Sequence, residues 1–341
     1  MIRESIAALA EGKHLNREQA RATMLEIMSG EATPAQIAAY ITALRIRGET
    51  AEIIAGSAEA MRQKFTAVDA GAPVVADVVG TGGDGAHTFN ISTCAAFVAA
   101  GAGVVVAKHG NRSVSSKCGS ADVLAALGVN LEIGADVMAR ALREIGIAFL
   151  FAPALHPAMK HAIGPRREIG IRTIFNILGP ISNPASAQYG LVGVYAAALV
   201  PVIAEALAVL GAQHMFVVHG LDGLDEITTT TGTLVAEISH GHVRQYEIHP
   251  RDVGLTAAQT ADLLGGDPAA NAEIIRGILA GQRGPRRDVV LFNSAAVIFA
   301  AGKARDLKDA VVVAENSIDS GAARQKLEAL AKLTSAVRKA S

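Results

Sequence analysis

The sequence predicts an α/β protein with a small all-helical N-terminal domain and a larger α/β domain built on a mostly parallel central sheet. Three observations predict it. Up to Lys64 the apolar residues follow only the helical period; after Gly71 short apolar runs ending in glycine begin; and these runs then alternate with helical stretches, as in parallel strands covered by helices. In the first part, Ala20, Thr23, Met24, Ile27 and Met28 share one helix face, and Ile37, Tyr40, Ile41 and Leu44 another. Thr33-Pro34-Ala35-Gln36 is a helix start, with a capping threonine, proline at the first helical position and glutamine placed to close a capping box.

Val74 to Val79 reads as a buried strand feeding a glycine-rich loop. A helix around Thr93 to Ala100, a strand at Val104 to Ala107, a helix at Asp122 to Leu127 and a strand near Ala148 to Phe151 follow. Further strands are expected at Tyr189 to Tyr195, Met215 to Val218, Thr233 to Ile238 and Val289 to Phe292, with a long helix at Ala196 to Leu210. Between Pro153 and Pro184 the prolines of His156-Pro157, Gly164-Pro165, Gly179-Pro180 and Asn183-Pro184 break the text repeatedly, which reads as a crossing back between domains.

Composition narrows the function. The chain has 341 residues, 50% of them hydrophobic, enough to bury more than one core. Its 31 basic and 32 acidic residues give a net charge of -1, so nothing drives general binding to nucleic acid or an anionic membrane. Cys94 and Cys118 stand far apart, without the spacing of a zinc cluster or a disulfide framework, which fits a cytoplasmic protein. No signal peptide is read at Met1 to Ala10, and no apolar stretch approaches the ~18 residues of a membrane span.

Three constellations carry chemistry. Gly80-Thr81-Gly82-Gly83-Asp84-Gly85 follows a strand, with Thr88 and then Asn90-Ile91-Ser92-Thr93 opening a helix. Such a turn brings backbone close to an anion, and the helix start offers free amides, so this is a phosphate site. It has neither the dinucleotide-binding glycine spacing nor the lysine ending of a Walker loop. Lys108-His109-Gly110-Asn111-Arg112-Ser113-Val114-Ser115-Ser116 leaves the next strand and should face the first loop; its cations and serines suit a polyanion. Taken alone it is equally well an ordinary surface loop. Asp225-Glu226 also follows a strand, and adjacent carboxylates on a turn commonly hold magnesium, although such a pair by itself is usually solvated surface. Asp222 is a weaker candidate of the same kind.

These motifs, in this order and spacing, resemble the anthranilate phosphoribosyltransferases, as does the run from Arg166 to Pro184, RREIGIRTIFNILGPISNP. The resemblance covers nearly the whole chain. It implies a helical domain, residues 1–70 completed by roughly 153–180, hinged to an α/β domain of residues 71–152 and 181–341, with a homodimer formed through the helical part. It implies transfer of the phosphoribosyl group of phosphoribosyl pyrophosphate (PRPP) to the amine of anthranilate. PRPP would lie against Gly80, Gly83, Asp84, Thr88, the Asn90–Thr93 turn, the Lys108–Ser116 loop and Ser120, and Mg2+ against Ser92, Asp225 and Glu226. Anthranilate would be placed by Arg166, Asn111, His109 and the Gly80 backbone, with Gly179 and Pro180 at its mouth; a guanidinium suits a carboxylate because it donates two parallel hydrogen bonds. Lys108 and Arg112 would stabilise charge electrostatically, with no general base. One departure is Ile163-Gly164-Pro165, where these enzymes more often have proline then valine. The rival readings are a pyrimidine-nucleoside phosphorylase, which would use inorganic phosphate and need no acidic pair, and a non-enzymatic nucleic-acid-binding relative, which would need a basic face.

Overall fold

The computed structural model describes residues 1–113 and 117–337. Four helices come first: α1 (Ile2–Ala10), α2 (Arg17–Met28), α3 (Pro34–Arg47) and α4 (Ala51–Arg62). The capping box expected at Thr33 is present, with Thr33 and Gln36 each bonding the other's backbone amide. The chain then alternates through β1 (Val75–Gly80), α5 (Ile91–Gly101), β2 (Val105–Gly110), α6 (Ser120–Ala126), α7 (Ala135–Glu144) and β3 (Ile147–Phe151). It crosses back through α8 (Ala152–Leu155), α9 (Lys160–Ile169) and α10 (Ile174–Ile181) to β4 (Tyr189–Gly193), α11 (Leu199–Val209), β5 (His214–Gly220), β6 (Thr233–Ser239) and β7 (His242–Ile248). Four helices close it: α12 (Pro268–Leu279), α13 (Pro285–Ala300), α14 (Leu307–Asp319) and α15 (Ala322–Ser335).

The seven strands form one sheet in the order β3-β2-β1-β4-β5-β6-β7, parallel from β3 to β5 and antiparallel over β6 and β7. Successive strand residues face opposite cores: Val78, Leu191 and Phe216 pack with α5 and α13, while Val79, Val192 and Val217 pack with α4, α10 and α11. The prolines of the 153–184 stretch do not leave it irregular; Pro165 and Pro180 lie inside α9 and α10, which pack on α2, α3 and α4.

The expected strand at Val289–Phe292 is wrong: these residues sit inside α13. A run buried on every side shows no face to either period, and only length separates strand from helix; here Pro285 starts a 16-residue helix. The expected strand at 104–107 is too short, because β2 continues through Lys108 and His109 to Gly110. The last strand, β7, is largely exposed, and its polar residues His242, Arg244, Gln245 and Glu247 keep no period of two, so the sequence carries no strand signal there although it is the sheet edge.

Connectivity runs from β1 outward to β2 and β3, then returns to place β4 on the other side of β1. The order therefore reverses between β1 and β4, and the crevice beyond their carboxyl ends is where such a sheet receives ligands. The return is pinned by Asn183, whose amide donates to Asp77 Oδ2 and to the Ala107 carbonyl, both at 2.7 Å. Replacing Asn183 by leucine strands two buried acceptors. It should cost about 2 kcal/mol of stability in urea unfolding followed by circular dichroism; a loss below about 0.5 kcal/mol would show that the return needs no such pin.

Candidate active site

The crevice is floored by an acidic turn. Asp225 and Glu226 follow β5 and are buried, not solvated surface. The Asp225 peptide lies so close to the ends of β1 and β4 that a Cβ at Gly80 would strike its carboxylate and one at Gly193 its carbonyl, so both strands must end in glycine. Asp225 Oδ2 accepts from the Gly82 amide at 2.6 Å, and Glu226 Oε1 from the Ser92 amide at 3.1 Å, in the first turn of α5. The opposite oxygen, Glu226 Oε2, is buried without a partner among the described residues, as is Thr93 Oγ1.

Charge in this floor is unbalanced. Burial, then the Asp84 carboxyl beside it, pushes Asp225 up to about 7; burial and then Asp225 push Glu226 up to about 8. The facing cation is Lys108, a buried residue of β2 and not of the loop, whose ammonium donates to the Val78 carbonyl at 2.7 Å and Ser92 Oγ at 3.3 Å. Its pKa is lowered by burial and raised by Asp77, Glu226 and Asp225. Two of its three donors are thereby used, leaving one for a ligand. Among the described residues no three His, Cys, Asp or Glu side chains are grouped to hold a metal. What the floor offers is two carboxylates with one free oxygen and the Ser92 hydroxyl beside them. That donor set fits magnesium, which takes few protein oxygens and fills its shell with water and phosphate.

The glycine turn above the floor has Gly82, Gly83 and Gly85 in the left-handed region, at φ of 68°, 76° and 76°. Thr88 pairs with Leu264 across the opening. Asn90 is committed to the scaffold: its amide donates to the Cys118 carbonyl and its oxygen accepts from Asn271. In the second loop, Asn111 Oδ1 accepts from the Arg112 amide and Ser120 Oγ donates to the Asn111 carbonyl. Arg112 is exposed and paired with Asp122 at 3.1 Å, which also takes the Ser113 and Gly119 amides. Val114, Ser115 and Ser116 lie outside the described residues. Asp222 is spent on its own turn, accepting from Thr228 and Thr230, and stands apart from the acidic pair's chemistry.

The crossing segment meets this floor from the other side. His109, at the end of β2, bonds the Gly179 carbonyl at 3.1 Å through Nδ1 and His156 at 3.2 Å through Nε2. Since a carbonyl only accepts, His109 carries its proton on Nδ1 and receives one from His156 Nε2. Arg166 lies over the Phe175 ring, 5.2 Å from its centroid, half-buried and without an ion pair among the described residues. Burial lowers its pKa.

Residues 3–65 match the glycosyl transferase family helical bundle domain and residues 72–324 the a/b domain of the same family. The anthranilate phosphoribosyltransferase of Anaeromyxobacter sp. (strain K) is 56% identical over 334 residues, covering 98% of this chain and 99% of that one. The chain belongs to the anthranilate phosphoribosyltransferase family. Among solved members, the Thermus thermophilus enzyme superposes with a TM-score of 0.93 at 41% identity, over 97% of this chain and 99% of that one. The Saccharomyces cerevisiae enzyme in complex with PRPP and Mg gives 0.90 at 30% identity, over 98% of each.

Three further side chains, none of them among the expected site residues, brace the site's surroundings. Asn293, within the misread α13, accepts from the Ile227 amide at 2.9 Å and donates to the Ile227 carbonyl at 2.8 Å, fixing the peptide that follows the acidic pair. His156 sits in a proline-broken stretch 47 residues from its partner. Arg172 donates to the Gly83 carbonyl.

The histidine pair makes stability pH-dependent. Burial, followed by the charge of His156, holds His109 down to about 3, and burial holds His156 down to about 4, against 6.5 for an ordinary histidine. The unfolded chain takes up these protons first, so the pair's contribution is intact above 6.5 and is lost as pH falls towards 4. His156→Asn removes one titrating ring. Its urea stability should fall by about 1 to 2 kcal/mol less than the parent's between about pH 7 and pH 5, the carboxylates common to both proteins cancelling. Parallel losses in the two proteins would mean that His156 is protonated in the folded chain.

Proposed function

We propose that the crevice joins anthranilate to PRPP with Mg2+ as cofactor, releasing N-(5-phosphoribosyl)anthranilate and pyrophosphate, and that its residues divide the work as follows. The PRPP diphosphate lies over the Gly80–Gly85 turn and the start of α5, where backbone amides face an anion, with Lys108 donating from below. Arg112 would exchange Asp122 for the same group. Ser92, Asp225 and Glu226 hold the metal, which when bound neutralises charge on the pyrophosphate. Arg166 takes the anthranilate carboxylate, and Asn111, His109 and Gly179 bound the ring beside it.

The observation that carries this reading is Arg166: a half-buried guanidinium with no carboxylate of its own among the described residues, on a segment joined to the acidic floor through the His109–Gly179 bond. A nucleoside phosphorylase, which uses inorganic phosphate, would not need the acidic pair to hold a metal.

In the reaction the amine nitrogen bonds to ribose carbon 1 as that carbon's bond to pyrophosphate oxygen breaks, with inversion. An aromatic amine is neutral at about pH 7 and attacks without prior deprotonation. The chain therefore contributes orientation and charge stabilisation of the departing pyrophosphate.

We also propose that residues 1–70 with 153–180 move as one body against 71–152 and 181–341. The packing of α9 and α10 on α2, α3 and α4 supports it. A homodimer through the helical part is supported by Ile46, an exposed apolar residue at the end of α3. Among the described residues no helix is long and apolar enough to cross a membrane. With two free cysteines to keep reduced, we place the activity in the cytoplasm.

Anthranilate fluorescence reports the reaction directly, since the chain has no tryptophan. Loss of fluorescence should require protein, PRPP and Mg2+ together; no loss with folded protein, and phosphorolysis of thymidine instead, would overturn the reading. Arg166→Ala should raise the KM for anthranilate by about tenfold or more with a smaller change in kcat; unchanged parameters would remove Arg166 from the carboxylate site. The double substitution Asp225→Ala, Glu226→Ala should lower Mg2+-dependent turnover by about a hundredfold. Retained turnover with an unaltered Mg2+ requirement would place the metal elsewhere.

A further inference from the structure

Arg172 lies between α9 and α10 and is exposed, yet its guanidinium is held on two sides. One nitrogen donates to the Gly83 carbonyl, and the guanidinium carbon lies over the Tyr195 ring, 4.3 Å from its centroid. Ordering a long side chain at a surface costs rotamer freedom, so two simultaneous contacts by an exposed arginine call for a reason.

Both partners belong to the glycine turn's own support. Tyr195 lies just beyond β4, and its amide donates to Thr81 Oγ1 at 3.0 Å, while the Thr81 amide donates to the Gly193 carbonyl at 2.9 Å. The turn is therefore anchored where it leaves β1, and again at Gly82 by Asp225. Beyond Gly82 it has two more left-handed glycines, whose backbone is the most expensive to order and has no side chains to pack.

A peptide unit is planar, with its carbonyl and its N–H pointing in opposite directions. Drawing the Gly83 carbonyl towards Arg172 thus turns the Asp84 amide away from it, and that amide makes no hydrogen bond among the described residues. A free, oriented amide in a glycine turn is an anion donor.

We propose that Arg172 is a positioning residue for PRPP: from the crossing segment it fixes the peptide of Gly83 and Asp84 so that the Asp84 amide is presented to the diphosphate. The inference rests on the placement of PRPP given above. Arg172 touches no reacting atom; it acts through the turn, with Tyr195 as the platform that keeps its guanidinium flat.

Two measurements on the full chain test it. Without substrate, hydrogen exchange at the two bonded amides that flank this peptide, Gly82 (to Asp225) and Ala86 (to Asp84), should quicken in Arg172→Ala by about tenfold, the worth of one charge-assisted hydrogen bond. With substrates, Arg172→Ala should raise the KM for PRPP by about tenfold, while kcat and the KM for anthranilate move by less than about twofold. Arg172→Lys, which can donate but cannot lie flat on Tyr195, should recover part of the loss. Arg167→Ala, an exposed neighbour, serves as the control.

An unchanged exchange rate together with an unchanged KM for PRPP would overturn the proposal. So would an equal rise in both KM values with a lowered melting temperature, the mark of an ordinary structural contact. If the unsubstituted protein failed to consume anthranilate with PRPP, the functional reading would fall with the PRPP role, and the exchange comparison would still decide whether Arg172 holds the turn.

Discussion

The structure depends on keeping two carboxylates buried at the ends of β1 and β4. Asp225 and Glu226 resist ionisation where they lie, because burial removes their water and Asp84 adds a third acid at the same place. Much around them serves to make that arrangement tolerable. Two strands end in glycine to admit the Asp225 peptide, two backbone amides are turned onto the carboxylates, Lys108 is brought up under them from β2, and Asn293 clamps the next peptide from α13. On the proposed placement of Mg2+, Glu226 Oε2, unpartnered among the described residues, is the oxygen that would take the cation.

The crossing segment meets the end of β2 from the other side. Parallel topology requires a long return from β3 to β4, and here that return is not a single covering helix but a set of short ones seated on the N-terminal bundle. It therefore touches two bodies at once. Asn183 fastens its far end to the sheet, and the carbonyl of Gly179 meets His109 at the end of β2.

How far the sequence shows all this follows from what each kind of signal depends on. The glycine turn, the capping box at Thr33 and the acidic pair are local, because each needs particular residue types at short spacing, and all three are where the sequence puts them. Length of burial is not local. Val289 to Phe292 looks the same in a buried strand or in α13, and the wrong choice hides Asn293, whose role appears only when the helix carries it against Ile227. Lys108 and His109 look like loop residues because they are polar, yet β2 carries both, since Val78, Ser92, Gly179 and His156 satisfy their polar atoms inside the protein. Arg112, legible as a cation, pairs with an aspartate ten positions away, and His156 and Arg172 matter only through partners far along the chain.

The histidine pair shows what kind of catalyst the crevice is. A ring held down to about 3 is too weak a base to take a proton from an amine near neutrality, and its free nitrogen is already occupied by His156. With both ring nitrogens bonded within the protein, His109 is not placed to relay protons. That is consistent with the chemistry, because the aromatic amine attacks as it stands and becomes strongly acidic only once its new bond has formed, when water suffices to take the proton. What the reaction lacks in water is a setting that tolerates a leaving pyrophosphate. On the proposed placement of the substrates, an acidic floor holding a divalent cation and the turn of amides beside it would be that setting.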